Sequence, residues 1–599
     1  MTAETDAGSV AKAGPASLPV VFDGTVGLFS PAEGEAKPVA VLFASPWGLE
    51  ELCVRKFFRI LADTCAEAGI ASLRFDYPGT GDALDFDLGS ANLATWTDSL
   101  VSSANQLKQL SGCDRLVVVT QGIGAVIATH ALERIEGVEA VAFLAPVVSG
   151  RFYLREMQVL ARMIDERLNI TTKPESDRIG MAVGGMSMPR GITDDLKRVD
   201  LMKLERFPVS NSIVFERPDR PSDSAFADHL RAIGVNVRQS PFSGYERLTL
   251  NPMLAVVPQD VVRELVDWVA GFAPAGSPAN ALRMPALQPH GGEGFWEQPI
   301  RFGAGERLYG ILCRPGEGVI QKPVTALLLS AGYDRASGWG RLTTELARKL
   351  AAHGIVSLRF DGASVADSLP WPGFDGQVLY DPRQFDDVRE AADVLEQEAP
   401  HAAIIAAGRC SGAYLALQQG WSDSRIRGVA AVNAAVYEWP VGRPVDDALA
   451  HPTQSIKNYR ESLLRSKTFK RLLRGEVDLR NKGMQALKGL AGRGLSRLLH
   501  LVGSMTKRER IVVNGFTALS KRAVPVRLLY SPGDVGLDEF NHFFGSDGAR
   551  IRRYPNMTWE VVPESDHNFT PAHARERYLE TVLEIEALIE KDRAEKAAR

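Results

Sequence analysis

Residues 402–418, AAIIAAGRCSGAYLALQ, run an apolar strand through a tight turn into a helix. The turn is Gly408-Arg409-Cys410-Ser411-Gly412, a cysteine with glycine two places before and two places after it. A strained strand-to-helix turn needs small residues at those two places, where the backbones converge. It holds the central side chain exposed at a helix N-terminus, whose dipole favours thiolate over thiol. The N–H of Ser411 is then placed to donate to an oxyanion. The second donor is expected from the loop after VTALLLS (324–330), from the backbone of Gly332 or Tyr333. A cysteine without partners would be an inert small hydrophobe, so the reading depends on what else the chain supplies.

It supplies an acid and a histidine, in that order. The strand VPVRLLYS ends in Pro532-Gly533-Asp534, and WEVVPESDHNFT places His567 in a loop before the last helix. Cys410 is read as nucleophile, His567 as general base and acid, and Asp534 as the group orienting the imidazole. Asp538 is the alternative acid. Asp566 adjoins His567, but adjacent side chains in a loop rarely point the same way. Asp361 closes the strand SLRFD and has a twin at Asp76, so both are expected to cap turns. Ser411 is not the nucleophile, because the glycine spacing selects Cys410. The ten histidines form no HxxxH or HxH pair, and no glycine-rich phosphate loop follows a strand, so neither metal nor cofactor is expected.

The positioning elements repeat. SLRFD occurs at 72–76 and again at 357–361, an offset of 285. Each copy ends a strand–loop–amphipathic helix–strand unit, and each half then offers another apolar strand running into a glycine-rich turn: LVVVTQGIGAVIATHAL (116–132) and the Cys410 segment. Near-continuous apolar strands alternating with amphipathic helices predict parallel sheets buried on both faces. The fold class is therefore α/β, as two tandem α/β-hydrolase-like domains, mostly parallel sheets flanked by helices, with a helical cap inserted in the second. In the first half the nucleophile slot holds Gly122, and Met253 stands where a histidine would be sought. That half should fold without turning over by this mechanism, leaving binding, interface or stabilising roles.

Length and charge set the frame. A chain of 599 residues exceeds a single core. The expected boundaries are a flexible N-terminus at 1–17, a degenerate domain at 18–271, a Pro/Ala/Gly-rich linker at 272–292 and a catalytic domain at 293–590. Five cysteines, no signal-peptide pattern and no apolar run of membrane length predict a soluble cytoplasmic protein with reduced thiols. The net charge of −4 makes no global case for nucleic acid. It conceals an anomaly: residues 451–522, within a cap expected at about 438–522, hold 17 Lys and Arg against 4 acids. Amphipathic helices with basic outer faces are expected there. The readings are a solvated face, a dock for an acidic partner such as an acyl carrier protein, coenzyme A phosphates or an anionic saccharide, or contact with anionic lipid. Scarce aromatics argue against nucleic acid.

Residues 39–258 resemble the α/β hydrolases associated with the exosortase A system and exopolysaccharide loci. The segments SPWGLEELCVRKFF, RFDYPGTGDA, TQGIGA, APVVSGRFYLREMQVLARM and NPMLAVVP carry the resemblance. Residues 295–590 resemble a divergent α/β hydrolase, with an elbow similar in kind to those of dienelactone hydrolases and polyhydroxyalkanoate synthases. The resemblance implies ester cleavage or acyl transfer in surface-polysaccharide or related secondary biosynthesis. Together with the residues, it leads to a Cys-His-Asp acyltransferase or (thio)esterase working through a thioester acyl-enzyme on an acyl (thio)ester substrate. The alternative from another class is a non-catalytic tandem scaffold that binds partners.

Overall fold

A computed structural model describes residues 17–168, 179–250, 252–273, 290–374, 376–440, 443 and 505–598. Most of the expected linker and most of the basic insertion lie outside the described residues, as does the N-terminal lead-in apart from Ser17. The chain forms two compact units. The first is Met1–Lys322 with Tyr333–Val378 and Asp393–Gln397, and the second is Pro323–Gly332, Leu379–Ala392 and Glu398–Arg599.

In the first unit the strands are β1 (Leu18–Phe22), β2 (Thr25–Ser30), β3 (Val39–Ala44), β4 (Ala71–Phe75), β5 (Arg115–Gln121) and β6 (Val138–Leu144). A hairpin of β7 (Ile179–Val183) and β8 (Met186–Pro189) stands apart, and β9 (Asn211–Glu216) and β10 (Asn236–Pro241) complete the sheet. Its order is β1-β2-β4-β3-β5-β6-β9-β10. The first two strands run antiparallel, and every pairing from β4 onward is parallel. The run VAVLFA explains itself in β3. Ala40, Leu42 and Ala44 pack into one core with Leu73, Val118 and Phe143, while Val39, Val41 and Phe43 pack into another with Phe57, Val117 and Val119. A strand covered on both faces has no polar side to present.

The later strands are β11 (His290–Gly292), β12 (Phe295–Phe302), β13 (Leu308–Pro315), β14 (Val324–Leu329), β15 (Val356–Phe360), β16 (Ala403–Arg409), β17 (Ile426–Val432), β18 (Val526–Tyr530) and β19 (Met557–Val561). Within the first unit, β11 to β13 and β15 pair antiparallel. Within the second, β14, β16, β17, β18 and β19 form a parallel run in that order. Both halves thus repeat one plan, antiparallel strands leading into a parallel sheet flanked by helices. This is the α/β-hydrolase arrangement used twice.

The duplicated SLRFD strands place arginines where none can remain unpaired. Arg74 in β4 and Arg359 in β15 are fully buried. Arg74 pairs with Asp367, and Arg359 pairs with Asp82 at 2.9 Å. Asp82 and Asp367 are separated by the repeat offset itself, so the two copies exchange carboxylates. Asp361 caps its loop as expected, accepting from the N–H groups of Ala336 (2.5 Å) and Asp367 (3.0 Å). Asp76 does more than cap. Besides accepting from Asp82 N–H, it pairs with Arg55 at 2.9 Å and Arg335 at 2.7 Å.

Candidate active site

β16 delivers Arg409 to the elbow, and the helix Ser411–Ser422 leaves it. Cys410 caps that helix with φ 54° and ψ −117°, a conformation L residues adopt only when their surroundings impose it. Its N–H donates to the carbonyl of Val432 at 2.9 Å. The flanking glycines are required by contact: a Cβ on Gly412 would strike the carbonyl of Leu329, and one on Gly408 would strike the backbone of Gly412. The close approach inferred from the spacing is therefore present on both sides.

The structure brings Cys410, His567 and Asp534 together. His567 Nδ1 donates to Asp534 Oδ2 at 2.6 Å, and the imidazole is hydrogen-bonded to the Cys410 thiol. Asp534 Oδ1 accepts from Gly536 N–H at 2.8 Å, so its carboxylate is held at both oxygens. Burial acts to raise the Cys410 thiol, but the His567 charge and hydrogen bond, helped by Arg409, outweigh it and hold the thiol below its ordinary range. Burial likewise opposes charge on His567, yet the Asp534 and Cys410 charges raise it to about 10. Both shifts favour charge separation, a thiolate facing an imidazolium. The chain's four other cysteines are buried and pushed up by that burial, Cys53 and Cys65 to about 12.

This pair has a measurable signature. Alkylation of Cys410 by iodoacetamide will rise with pH at a midpoint below that of an ordinary thiol. In His567→Ala the midpoint will move upward, because burial and the Asp534 charge remain without the imidazolium. Less of the thiol is then ionised at neutral pH, and a rate loss of about tenfold or more is expected at pH 7. Coincident profiles for the two proteins would refute the ion pair.

Residues that spacing did not single out hold the histidine loop. Asn433, at the end of β17, donates to the His567 carbonyl at 3.0 Å and accepts from Ser531 N–H at 2.7 Å. Arg409 donates to Asn568 Oδ1 at 2.7 Å. Their one sequence signal is a polar residue closing an apolar strand. Asp566 accepts from Asn568 and Thr570 N–H, which makes it a turn cap. Asp538 lies in the helix Gly536–Phe544. Tyr380 was also not anticipated. It stacks on Trp439 at 4.6 Å and meets Tyr414 edge-on at 5.1 Å. Its phenol is raised first by burial and then by the Cys410 charge.

Of the expected oxyanion donors, Ser411 starts the helix, and Gly332 N–H donates to the Ser411 hydroxyl at 2.6 Å. Tyr333 belongs to the other compact unit, where its hydroxyl accepts from Val378 N–H at 3.2 Å. In the first half Gly122 takes the elbow with φ 55°, within a degree of Cys410, and Gly124 packs on the carbonyl of Ala44 as Gly412 does on Leu329. Met253 is half-buried in the loop before the helix Gln259–Ala270. Among the described residues no group of three His, Cys, Asp or Glu could hold a metal ion, and no helix is long and apolar enough to cross a membrane.

No family model and no curated protein matches the chain. Among solved structures it is similar to an esterase of Pyrococcus furiosus, at 13% identity over 48% of this chain and 90% of that one, with a TM-score of 0.30. It is similar to a soluble variant of the monoglyceride lipase of Saccharomyces cerevisiae at 16% identity, over 45% and 98%, with a TM-score of 0.31. A proline iminopeptidase of Mycobacterium smegmatis gives 14% identity over 43% and 98%, with a TM-score of 0.29. By its own strand order and its two elbows, this chain is a tandem of two α/β-hydrolase-like domains.

Proposed function

We propose that the second half is a cysteine-dependent acyl-transfer site, an acyltransferase or (thio)esterase. The observation that carries this reading is an elbow cysteine hydrogen-bonded to an imidazole, which is oriented in turn by a carboxylate held at both oxygens. The Cys410 thiolate attacks the carbonyl carbon of a (thio)ester. The oxyanion is met by Ser411 N–H and by Gly332 N–H, which exchanges the Ser411 hydroxyl for it. As the tetrahedral intermediate collapses, His567 gives its proton to the departing thiol or alcohol, leaving a thioester on Cys410. His567 then takes a proton from water, an alcohol or an amine, which displaces the acyl group and restores the thiolate. A thioester intermediate is close in energy to a thioester donor, so transfer is chemically as open as hydrolysis.

An acidic carrier, as acyl carrier protein or coenzyme A, fits the basic insertion. Of its 17 cations, Lys507, Arg508, Arg510, Lys521 and Arg522 are described. Lys507, Arg510 and Lys521 are exposed, while Arg508 pairs with Glu539. The pathway, in polysaccharide or related secondary biosynthesis, rests on the resemblance of the first half.

The test is to mix His567→Ala with a panel of acyl-thioesters and activated esters and read intact mass. A stable acyl adduct that maps to Cys410 is expected, because the variant can no longer activate an acceptor. In the native protein, supplying water alone or with an alcohol or amine separates hydrolysis from transfer. If neither protein carries an adduct with any donor, the reading is wrong.

A further inference from the structure

The first half's elbow is chemically occupied. A Cβ at Gly122 would lie 2.6 Å from Glu50 Oε2 and 3.1 Å from Pro46 Cβ, so a carboxylate stands in the space that the second half gives to a thiol. Glu50 comes from the first turn of the helix Leu49–Glu67, which follows β3. Its Oε1 is anchored by Gln121 Nε2 at 2.9 Å and by the Tyr245 hydroxyl at 3.2 Å. Gln121 ends β5, and Tyr245 starts the short helix after β10. Every one of these groups stands at the carboxyl ends of parallel strands, the crevice where open α/β sheets bind ligands.

One buried polar atom there is unsatisfied: Gln121, fully buried, leaves its Oε1 without a partner. Of the two Glu50 oxygens, only Oε1 accepts a hydrogen bond from the described residues. The cations nearby are already engaged. Arg217 is held by Asp223 at 2.8 Å and by the Pro146 carbonyl at 3.1 Å, and Arg220 pairs with Glu156 at 2.5 Å. Arg217 acts on Glu50 only through its field. Burial dominates and pushes the carboxyl above its ordinary range, against the Gln121 hydrogen bond and the Arg217 charge. Glu50 nevertheless remains partly exposed, so solvent reaches it.

We infer that this elbow is a second ligand site, which takes a small molecule bearing a primary ammonium group, with Glu50 Oε2 as its acceptor and Gln121 and Tyr245 holding that carboxylate in aim. An anionic group would meet the Glu50 charge. A hydroxyl would hydrogen-bond to the carboxylate but leave its charge uncompensated, whereas an ammonium brings the opposite charge along with the bond. The inference concerns residues of the first unit alone and stands whether or not Cys410 turns over.

The experiment is calorimetric titration of the full chain with n-butylammonium chloride, with n-butanol and sodium butyrate as comparison probes. Saturable millimolar binding of butylammonium is expected, on the order set by so small a fragment. It should be at least tenfold weaker in Glu50→Gln and in Gly122→Ala, whose Cβ enters the space facing Oε2. Butanol should bind at least tenfold more weakly than butylammonium, and butyrate should not bind. Affinity should rise with pH as Glu50 ionises. The Cys410 alkylation rate, which reports the second unit, should be unchanged in both variants. If Glu50→Gln does not fold, Tyr245→Phe carries the test, with binding about threefold weaker or more. Equal butylammonium affinity in the variants, equal affinity for butanol, or no binding of butylammonium overturns the inference.

Discussion

Replacing Cys410 by glycine, the residue that Gly122 supplies at the sister elbow, is expected to abolish turnover while leaving the protein more stable than Cys410→Ala. Loss of a nucleophile that works as a unit with its base and acid costs on the order of 10³-fold or more in kcat. The stability difference comes from the backbone. Cys410 sits at φ 54° with a Cβ, in a region that costs about 1–3 kcal/mol for residues other than glycine. Glycine removes that strain and alanine keeps it. Chemical denaturation should therefore rank Cys410→Gly above Cys410→Ala by about 1–2 kcal/mol. Equal stability would mean that the elbow stores no strain, and surviving turnover in either variant would remove Cys410 from the reaction. The sister elbow, glycine at φ 55°, has the same turn without the side chain that would make it costly.

Asp367→Ala will destabilise the first unit severely, by about 3–5 kcal/mol, because it leaves the buried Arg74 without a carboxylate and takes one of the carboxylates from Arg55. Asp367 has no exposed surface and pairs with Arg74 and with Arg55, the latter at 2.7 Å. Burial alone would raise its carboxyl, but the Arg55, Arg74 and Arg335 charges outweigh it and hold the group well below the usual range. A depressed carboxyl stabilises the fold at pH values above its unfolded pKa, and that contribution is lost as pH falls through the folded one. Urea unfolding of Asp367→Ala should show the loss at neutral pH and a smaller one in acid. The double variant Asp367→Leu with Arg74→Met should recover much of it, since an apolar pair needs no compensation. A single variant as stable as the native chain would mean that the exchange between the two SLRFD copies is not what holds Arg74.

Much of the candidate site is local and was therefore legible. The glycines around Cys410 are dictated by backbones converging within five residues, and Gly408 and Gly412 have no room for a Cβ. The order of Cys410, Asp534 and His567 along the chain matched strand ends that apolar periodicity had already located. The repeat was legible because a duplicated core repeats its apolar pattern. Asp76 shows where local reading stops: as a residue closing a strand it looked like a turn cap, and it also joins two buried arginines. Asn433 and Tyr380 act through partners more than 90 and about 30 residues away, Ser531 and Cys410, which no spacing rule connects.

The sequence by itself determined the α/β class, its duplication, and which elbow carries a thiol, because these follow from periodicity and from what a tight turn excludes. The tertiary structure alone decided what fills the other elbow and what neutralises the buried arginines. Glu50 reaches Gly122 from a different strand end, and Arg74 finds Asp367 in the second copy of its own repeat. A buried charge is satisfied by whatever the fold brings within hydrogen-bonding distance, and that distance is set by strand order rather than by position in the chain.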